Sequence, residues 1–391
     1  MDSIKNPFSP NAGARPPELV GRDEVLEQAR VLMGRTQLRR SAQSLLLTGL
    51  RGVGKTVVLN EILNRAEEMG NILPIYLEAS ENRSLGELLA APLKIALLKL
   101  NRVEGAKQAA RRGLSVLRNF MGTIKISLGD VGIELEPCTG IGDSGDMQYD
   151  LKELLSAVAE AALERDKAVI LLIDEVQYLS QEELESLVMS LHHMQQRQLP
   201  LAMVGAGLPI LAKLAGEAKS YAERLFKYPV LGALSEENSR KAMCKPFGDA
   251  GIDIDEAAVG LVLKETGGYP YFIQEWCSQL WNFIEKQPVV EADVQKVKSL
   301  VLYSLDENFF RVRMERITPS ERKVLYAMAG VMEGEQPCRI GDVAGSMGLD
   351  QKAIGPRRNA LIKKGMIYSP GHGLIAFTVP MFSSFLKRNP Q

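Results

Sequence analysis

Gly49-Leu50-Arg51-Gly52-Val53-Gly54-Lys55-Thr56 gathers three glycines, a lysine and a hydroxyl into eight consecutive positions. The spacing is G-x-x-x-x-G-K-[ST], met at every fixed position. At average residue frequencies a chance match in a chain of this length is on the order of 1%. Glycines let the backbone curl until successive N–H groups converge on an anion. A helix N-terminus directly after the loop adds partial positive charge. Lys55 is placed to reach the β- and γ-phosphates of a nucleotide, and the Thr56 hydroxyl is a hard oxygen ligand for Mg²⁺.

A second group of reactive residues lies about 120 positions on. Val169-Ile170-Leu171-Leu172-Ile173 is an uncharged aliphatic run that ends in Asp174 and Glu175. In a phosphate-loop protein Asp174 is placed to hold the metal. Glu175 can then act as general base toward water. A carboxylate beyond the aspartate favours hydrolysis over transfer to a small molecule, because water needs a base or an orienting group.

The elements that must position these groups follow from the apolar pattern. From about 19 to 235, short aliphatic runs alternate with helical periodicity, which predicts parallel strands joined by helices. The expected strands are Ser44–Thr48, Ile72–Glu78, Ala168–Ile173, Leu201–Gly205 and Tyr228–Leu234. Residues of about 100–150 break the alternation. They begin basic (Lys99, Arg102, Lys107, Arg111, Arg112, Arg118, Lys125) and continue as a hairpin pattern around Gly129. They read as an insertion, a solvated decoration more readily than a partner-binding element. Residues 1–18 read as an extended lead-in and 236–300 as a helical lid. Residues 301–315 read as a linker and 316–391 as a separate module.

The two reactive groups together resemble the AAA+ and related STAND ATPases, phosphate-loop proteins with an additional strand and a catalytic glutamate. Val20-Gly21-Arg22-Asp23 resembles the opening of origin-initiator and archaeal-type ATPases, which implies that Val20 and Arg22 border the adenine. Taken without the resemblance, Arg22 is an exposed charge near a helix start. The resemblance calls for a polar residue on the strand after the acidic one; Leu201–Gly207 offers Gly205 and Ala206 instead, which puts γ-phosphate sensing by that strand in doubt and leaves room for a scaffold with negligible turnover. Tyr221–Phe226 falls where AAA+ proteins carry an arginine finger, so Arg224 is implied to complete a neighbouring protomer's site, against the alternative of a local ion pair. Gly267-Gly268-Tyr269-Pro270-Tyr271-Phe272 resembles the Gly-x-Pro signature of STAND and archaeal-type ATPases, implying that Pro270 approaches the nucleotide. The lid arginine usual in origin initiators is missing near Pro270. ATP rather than GTP follows from the resemblance alone.

The last 76 residues read as three helices and a hairpin, with a cap at Thr318, and resemble a winged helix-turn-helix. From Arg316 onward there are eleven Lys/Arg and five Asp/Glu; the difference is +6, whereas the whole chain is −1 and the remainder therefore −7. A basic module on an acidic body favours duplex DNA as a partner. Lys352, Arg357, Arg358, Lys363 and Lys364 are the candidate contacts. Pro356 is a misfit inside that helix. Contact with a protein partner instead, in a STAND-like signalling protein, is the alternative.

The expected fold is α/β: a phosphate-loop core with a parallel sheet, a helical lid and a C-terminal winged helix. The expected cofactors are ATP and Mg²⁺, with a homo-oligomer implied by Arg224. Near-balanced charge, 47 basic against 48 acidic residues, excludes a chain-wide affinity for nucleic acid or membrane. No apolar run reaches the roughly 18 residues of a membrane span, and no secretory signal is read, so a cytoplasmic location is expected. The four cysteines (Cys138, Cys244, Cys277, Cys338) have no metal-ligand spacing.

Overall fold

A computed structural model describes residues 2–101, 107–124, 140–284 and 286–390. The chain forms two compact units. One comprises 23–48 and 55–230; the other comprises 1–22, 49–54 and 231–391.

The first unit is built on a parallel sheet. Its strands are β1 (Ser44–Thr48), β2 (Ile72–Glu78), β3 (Ala168–Asp174), β4 (Leu201–Gly207) and β5 (Phe226–Lys227), in the order β2-β3-β4-β1-β5. All residues of β1, β3 and β4 are buried, which is why these strands read as unbroken aliphatic runs rather than as alternation. Pro74 interrupts β2, and β2 is an edge strand, where a missing amide is tolerated. β4 lies between β1 and β3, so the strand leading to the glycine loop and the strand carrying Asp174 are not neighbours.

The fifth strand departs from expectation. It is Phe226–Lys227, paired with Ser44 and Leu45, not Tyr228–Leu234. Beyond it only the Thr48 amide bonded to the Pro229 carbonyl at 2.9 Å and an isolated bridge at Val230 continue the pairing. Pro229 has no amide to extend a ladder, and from Leu231 the chain belongs to the other unit.

The insertion is not a solvated decoration where the structure describes it. Helix Lys107–Thr123 packs between helices Leu85–Asn101 and Met147–Leu163. Its Leu114, Val116, Leu117, Phe120 and Met121 are fully buried in the core of this unit, while Arg111, Arg112 and Arg118 face water. The basic pattern is therefore the outer side of a core helix. Arg102, Lys125, Cys138 and the expected hairpin around Gly129 lie outside the described residues.

The second unit is mainly helical. Helices Glu236–Asp249, Glu256–Thr266, Pro270–Phe283 and Glu291–Leu305 share one apolar core with the C-terminal segment. Residues 301–315 are not a linker: Glu291–Leu305 runs directly into a π-helical turn, Asp306–Arg311, and then Val312–Met314. Phe309 and Phe310 in that turn are buried, and their rings join Tyr271 and Phe272 to Phe382 and Phe385.

The C-terminal segment comprises helix Pro319–Val331, β6 (Cys338–Arg339), helices Ile340–Ser346 and Gln351–Lys363, β7 (Ile367–Tyr368), β8 (Leu374–Phe377) and helix Phe382–Arg388. Its sheet has three antiparallel strands in the order β6-β8-β7, one more than the expected hairpin. Thr318 and Glu321 form a capping box at the first helix, as the Thr318 cap predicted.

The lead-in is docked rather than free. Asn6 donates to the carbonyl and hydroxyl of Ser278, the Trp281 indole donates to the Asp2 carbonyl, and Phe8 is buried against Phe247 with ring centroids 4.9 Å apart. Phe8→Ala is expected to lower stability by about 3 kcal/mol. Urea unfolding followed by tryptophan fluorescence checks this, since Trp281 lies beside Phe247; an unchanged midpoint would mean that the lead-in adds nothing to the core.

Candidate functional site

Within the sheet unit, Lys55 and Thr56 open the helix Lys55–Met69, and Asp174 closes β3. The Thr56 hydroxyl donates to Asp174 Oδ2 at 2.6 Å. Asp174 Oδ1 accepts the Glu175 amide at 2.8 Å, and the Tyr76 hydroxyl stands 3.5 Å from Oδ2. Tyr76 was not legible as part of the site. Its place follows from the parallel β2–β3 register, which sets Glu78 opposite Asp174 and Tyr76 two residues before it.

The electrostatics fit a cation-binding carboxylate. Burial pushes the Asp174 carboxyl up, the Thr56 bond pulls it down, the neighbouring Glu175 charge pushes it up again, and the Glu175 amide and Lys55 draw it down. The net direction is upward. An acid held above its ordinary range by burial is one that a divalent cation would stabilise in its charged form. Two hard oxygens side by side, Thr56 Oγ1 and Asp174 Oδ2, are the donor type that Mg²⁺ takes.

Glu175 has φ 52°, a left-handed conformation that few side chains other than Asn, Asp and Gly adopt readily. Strain of this kind persists only where the surroundings fix it, and it clusters at reactive sites. The turn aims the Glu175 carboxylate at Gln177, whose side-chain amide donates to Glu175 Oε2. Gln177 was not singled out in the sequence.

Gly205 lies inside the buried strand β4. A Cβ there would press on Leu46, Met203 and Val176, so a side chain at this position would have to displace them. Arg224 lies on the short helix Ala222–Leu225 with its side chain exposed, and among the described residues it forms no ion pair.

In the other unit, loop residues 49–54 make a distinct set of contacts. Gly52 and Gly54 have φ of 82° and 88°, which side-chain-bearing residues rarely tolerate. The Gly52 carbonyl accepts the Tyr271 amide at 3.2 Å, and the Arg51 amide donates to the Thr378 carbonyl at 2.9 Å. Pro270 is the first residue of its helix, the position that proline favours, so Gly52 satisfies an otherwise orphan first-turn amide. Arg22 is not an exposed charge: it is 7% exposed and donates to the carbonyls of Val53 at 3.0 Å and Gly232 at 2.8 Å. It clamps the loop backbone. Val20 is half-buried against the apolar core of the same unit.

The C-terminal candidates separate by face. Ile354 and Leu361 turn inward from helix Gln351–Lys363; Lys352, Pro356, Asn359 and Lys363 form its exposed side; Arg357 and Arg358 flank it, half-buried. Pro356 lies inside this helix, without breaking it, and is exposed. Lys364 is committed internally, its ammonium bonded to Glu321 Oε2 at 2.7 Å.

A parallel sheet with a strand between β1 and the acidic strand, a glycine loop before a helix, and a threonine bonded to the strand-end aspartate define a P-loop ATPase. Residues 18–204 match the AAA ATPase domain family, so this part of the chain is an AAA+ ATPase domain. Residues 307–386 match a second family, described as a domain of unknown function (DUF8462). No curated protein matches the chain. Among solved structures, a Walker-type ATPase of Pyrococcus abyssi is similar at TM-score 0.56 and 15% identity, over 95% of this chain and 97% of that one. The Orc1 protein of Aeropyrum pernix in complex with DNA reaches TM-score 0.47 at 15% identity, over 96% and 94%. Cdc6p of Pyrobaculum aerophilum also reaches 0.47, at 14% identity, over 100% and 99%. Among the described residues no helix is long and apolar enough to cross a membrane.

Asp174→Asn keeps the local bonds, since Oδ1 still accepts the Glu175 amide and the amide nitrogen can donate to Thr56. Because burial raises the folded carboxyl above its unfolded value, ionised Asp174 costs the metal-free fold stability once pH passes that raised value. Asp174→Asn is expected to melt higher than the parent at neutral pH without Mg²⁺, with the gap closing as pH falls to about 4. Thermal melts across pH check this.

Proposed function

We propose that this ATPase is a molecular switch in which Mg-ATP, held by the Gly49–Thr56 loop, controls what the C-terminal segment contacts. The observation that carries the reading is the 2.6 Å bond between Thr56 and Asp174 with Glu175 next in line. Lys55 neutralises charge on the β- and γ-phosphates, and Thr56 and Asp174 would hold Mg²⁺. The metal would draw electron density from the phosphate oxygens when bound. Glu175 takes a proton from the attacking water as its oxygen bonds to the γ-phosphorus and the bond to the β–γ bridging oxygen breaks. The exposed Arg224 supplies positive charge to the site of a second copy, which makes the active form a homo-oligomer.

The C-terminal segment reads as a winged helix, with Ile340–Ser346 and Gln351–Lys363 as the helix pair and β7–β8 as the wing. We place duplex DNA on its exposed face, through Lys352, Asn359 and Lys363 with Arg357 and Arg358 at the flanks. Lys364, spent on Glu321, is left out of that surface. A second reading, a STAND-like signalling ATPase whose winged helix meets protein, draws on the Arg51 amide bonded to the Thr378 carbonyl: here the C-terminal segment is already engaged with the phosphate loop.

Glu175→Gln is expected to lower kcat by about 10²–10⁴ while ATP stays bound. With that variant, the anisotropy of a labelled duplex should rise with ATP more than with ADP, weaken steeply with salt, and fall in Arg357→Ala/Arg358→Ala. Flat anisotropy with ATP bound would favour the second reading.

A further inference from the structure

β4 ends in Gly205, Ala206 and Gly207 and so presents no polar side chain there. Gly205 is walled in by Leu46 and Val176, and a Cβ at Gly207 would collide with Gln177 Oε1 and press on Leu211. The space beside the end of β4 is filled by Gln177, from the turn that follows β3. Its amide uses both ends: Oε1 accepts the Leu208 amide at 3.1 Å, and Nε2 donates to Glu175 Oε2. We propose that Gln177 is a positioning residue that fixes the Glu175 carboxylate to the end of β4, doing through a neighbouring turn what a polar residue on β4 would do directly.

The proposal rests on Glu175 being the general base. Three features support it. Glu175 sits in a left-handed conformation that leaves its side chain few places to go, and the Gln177 bond selects one. Leu208 leads within three residues into helix Leu211–Ala218, which precedes the helix bearing Arg224, so the bond also ties Glu175 to that part of the chain. Gly207 is needed for a stated reason: any larger residue displaces the Gln177 amide. A base moved by about 1 Å loses on the order of 10²-fold in rate with little effect on substrate binding.

Gln177→Met keeps the length and bulk of the side chain and removes both bonds. It is expected to lower kcat for ATP hydrolysis 10- to 100-fold, with KM within about twofold of the parent. Gly207→Ala should reproduce the loss, and Gln177→Met/Gly207→Ala should be no slower than Gln177→Met alone, because the clash acts through the amide already removed. If Gly207→Ala does not fold, Gln177→Met decides by itself. Parental kcat in Gln177→Met, with Glu175→Gln inactive, overturns the positioning role and leaves the base reading intact. Parental kcat in Glu175→Gln overturns both.

Discussion

A carboxylate at 2% exposure is unfavourable unless something compensates it, and the sheet unit is arranged around that requirement at Asp174. Thr56 and the Glu175 amide each give it a hydrogen bond, and Lys55 contributes charge. To bring Thr56 there, the helix after the glycine loop must begin at Lys55. To bring Asp174 there, β3 must end at that residue, with β4 as the spacer between it and β1. The compensation is partial, because the carboxyl still sits above its ordinary range. This residual cost is what a bound cation would relieve, so metal binding would be linked to local stability through one side chain.

The parts of the site that could be read from the sequence are those whose chemistry lies in consecutive residues. The glycine loop and the Ile173-Asp174-Glu175 strand end need only their own order to be intelligible. Gln177 and Tyr76 could not be read this way. Tyr76 depends on the register of β2 against β3, and Gln177 depends on Leu208 lying beside a turn about thirty residues earlier. Arg22 was misjudged without its neighbours for the same reason: an arginine near a helix start looks solvated until its carbonyl partners, Val53 and Gly232, are known.

The fold was legible wherever strands are buried on both faces. It was least legible where two-residue strands carry little pattern, at Phe226–Lys227 and Cys338–Arg339, and where amphipathic helices were taken for something else. Lys107–Thr123 drew attention to its arginines although its apolar face belongs to the core. The charge of the C-terminal segment was countable, but its distribution was not. One lysine is an internal partner of Glu321, and the two adjacent arginines lie beside the exposed ridge rather than on it.

The π-helical turn at Asp306–Arg311 settles a matter of angular phase. Val297, Val301, Leu305 and Phe309 are buried at steps of four, whereas an α-helix needs 3.6 residues to return to the same side. Each step of four therefore overshoots by about 40°, and three steps would carry the apolar stripe about a third of the way round. A turn closed by i→i+5 bonds holds more residues and winds back part of that drift. Phe310 and Met314 can then face the same core as Val297 although the spacing is wrong for an uninterrupted α-helix. The wide turn thus acts as a vernier on the rotation of this long helix, and the orientation in which the chain enters the C-terminal segment is set by one local change of pitch.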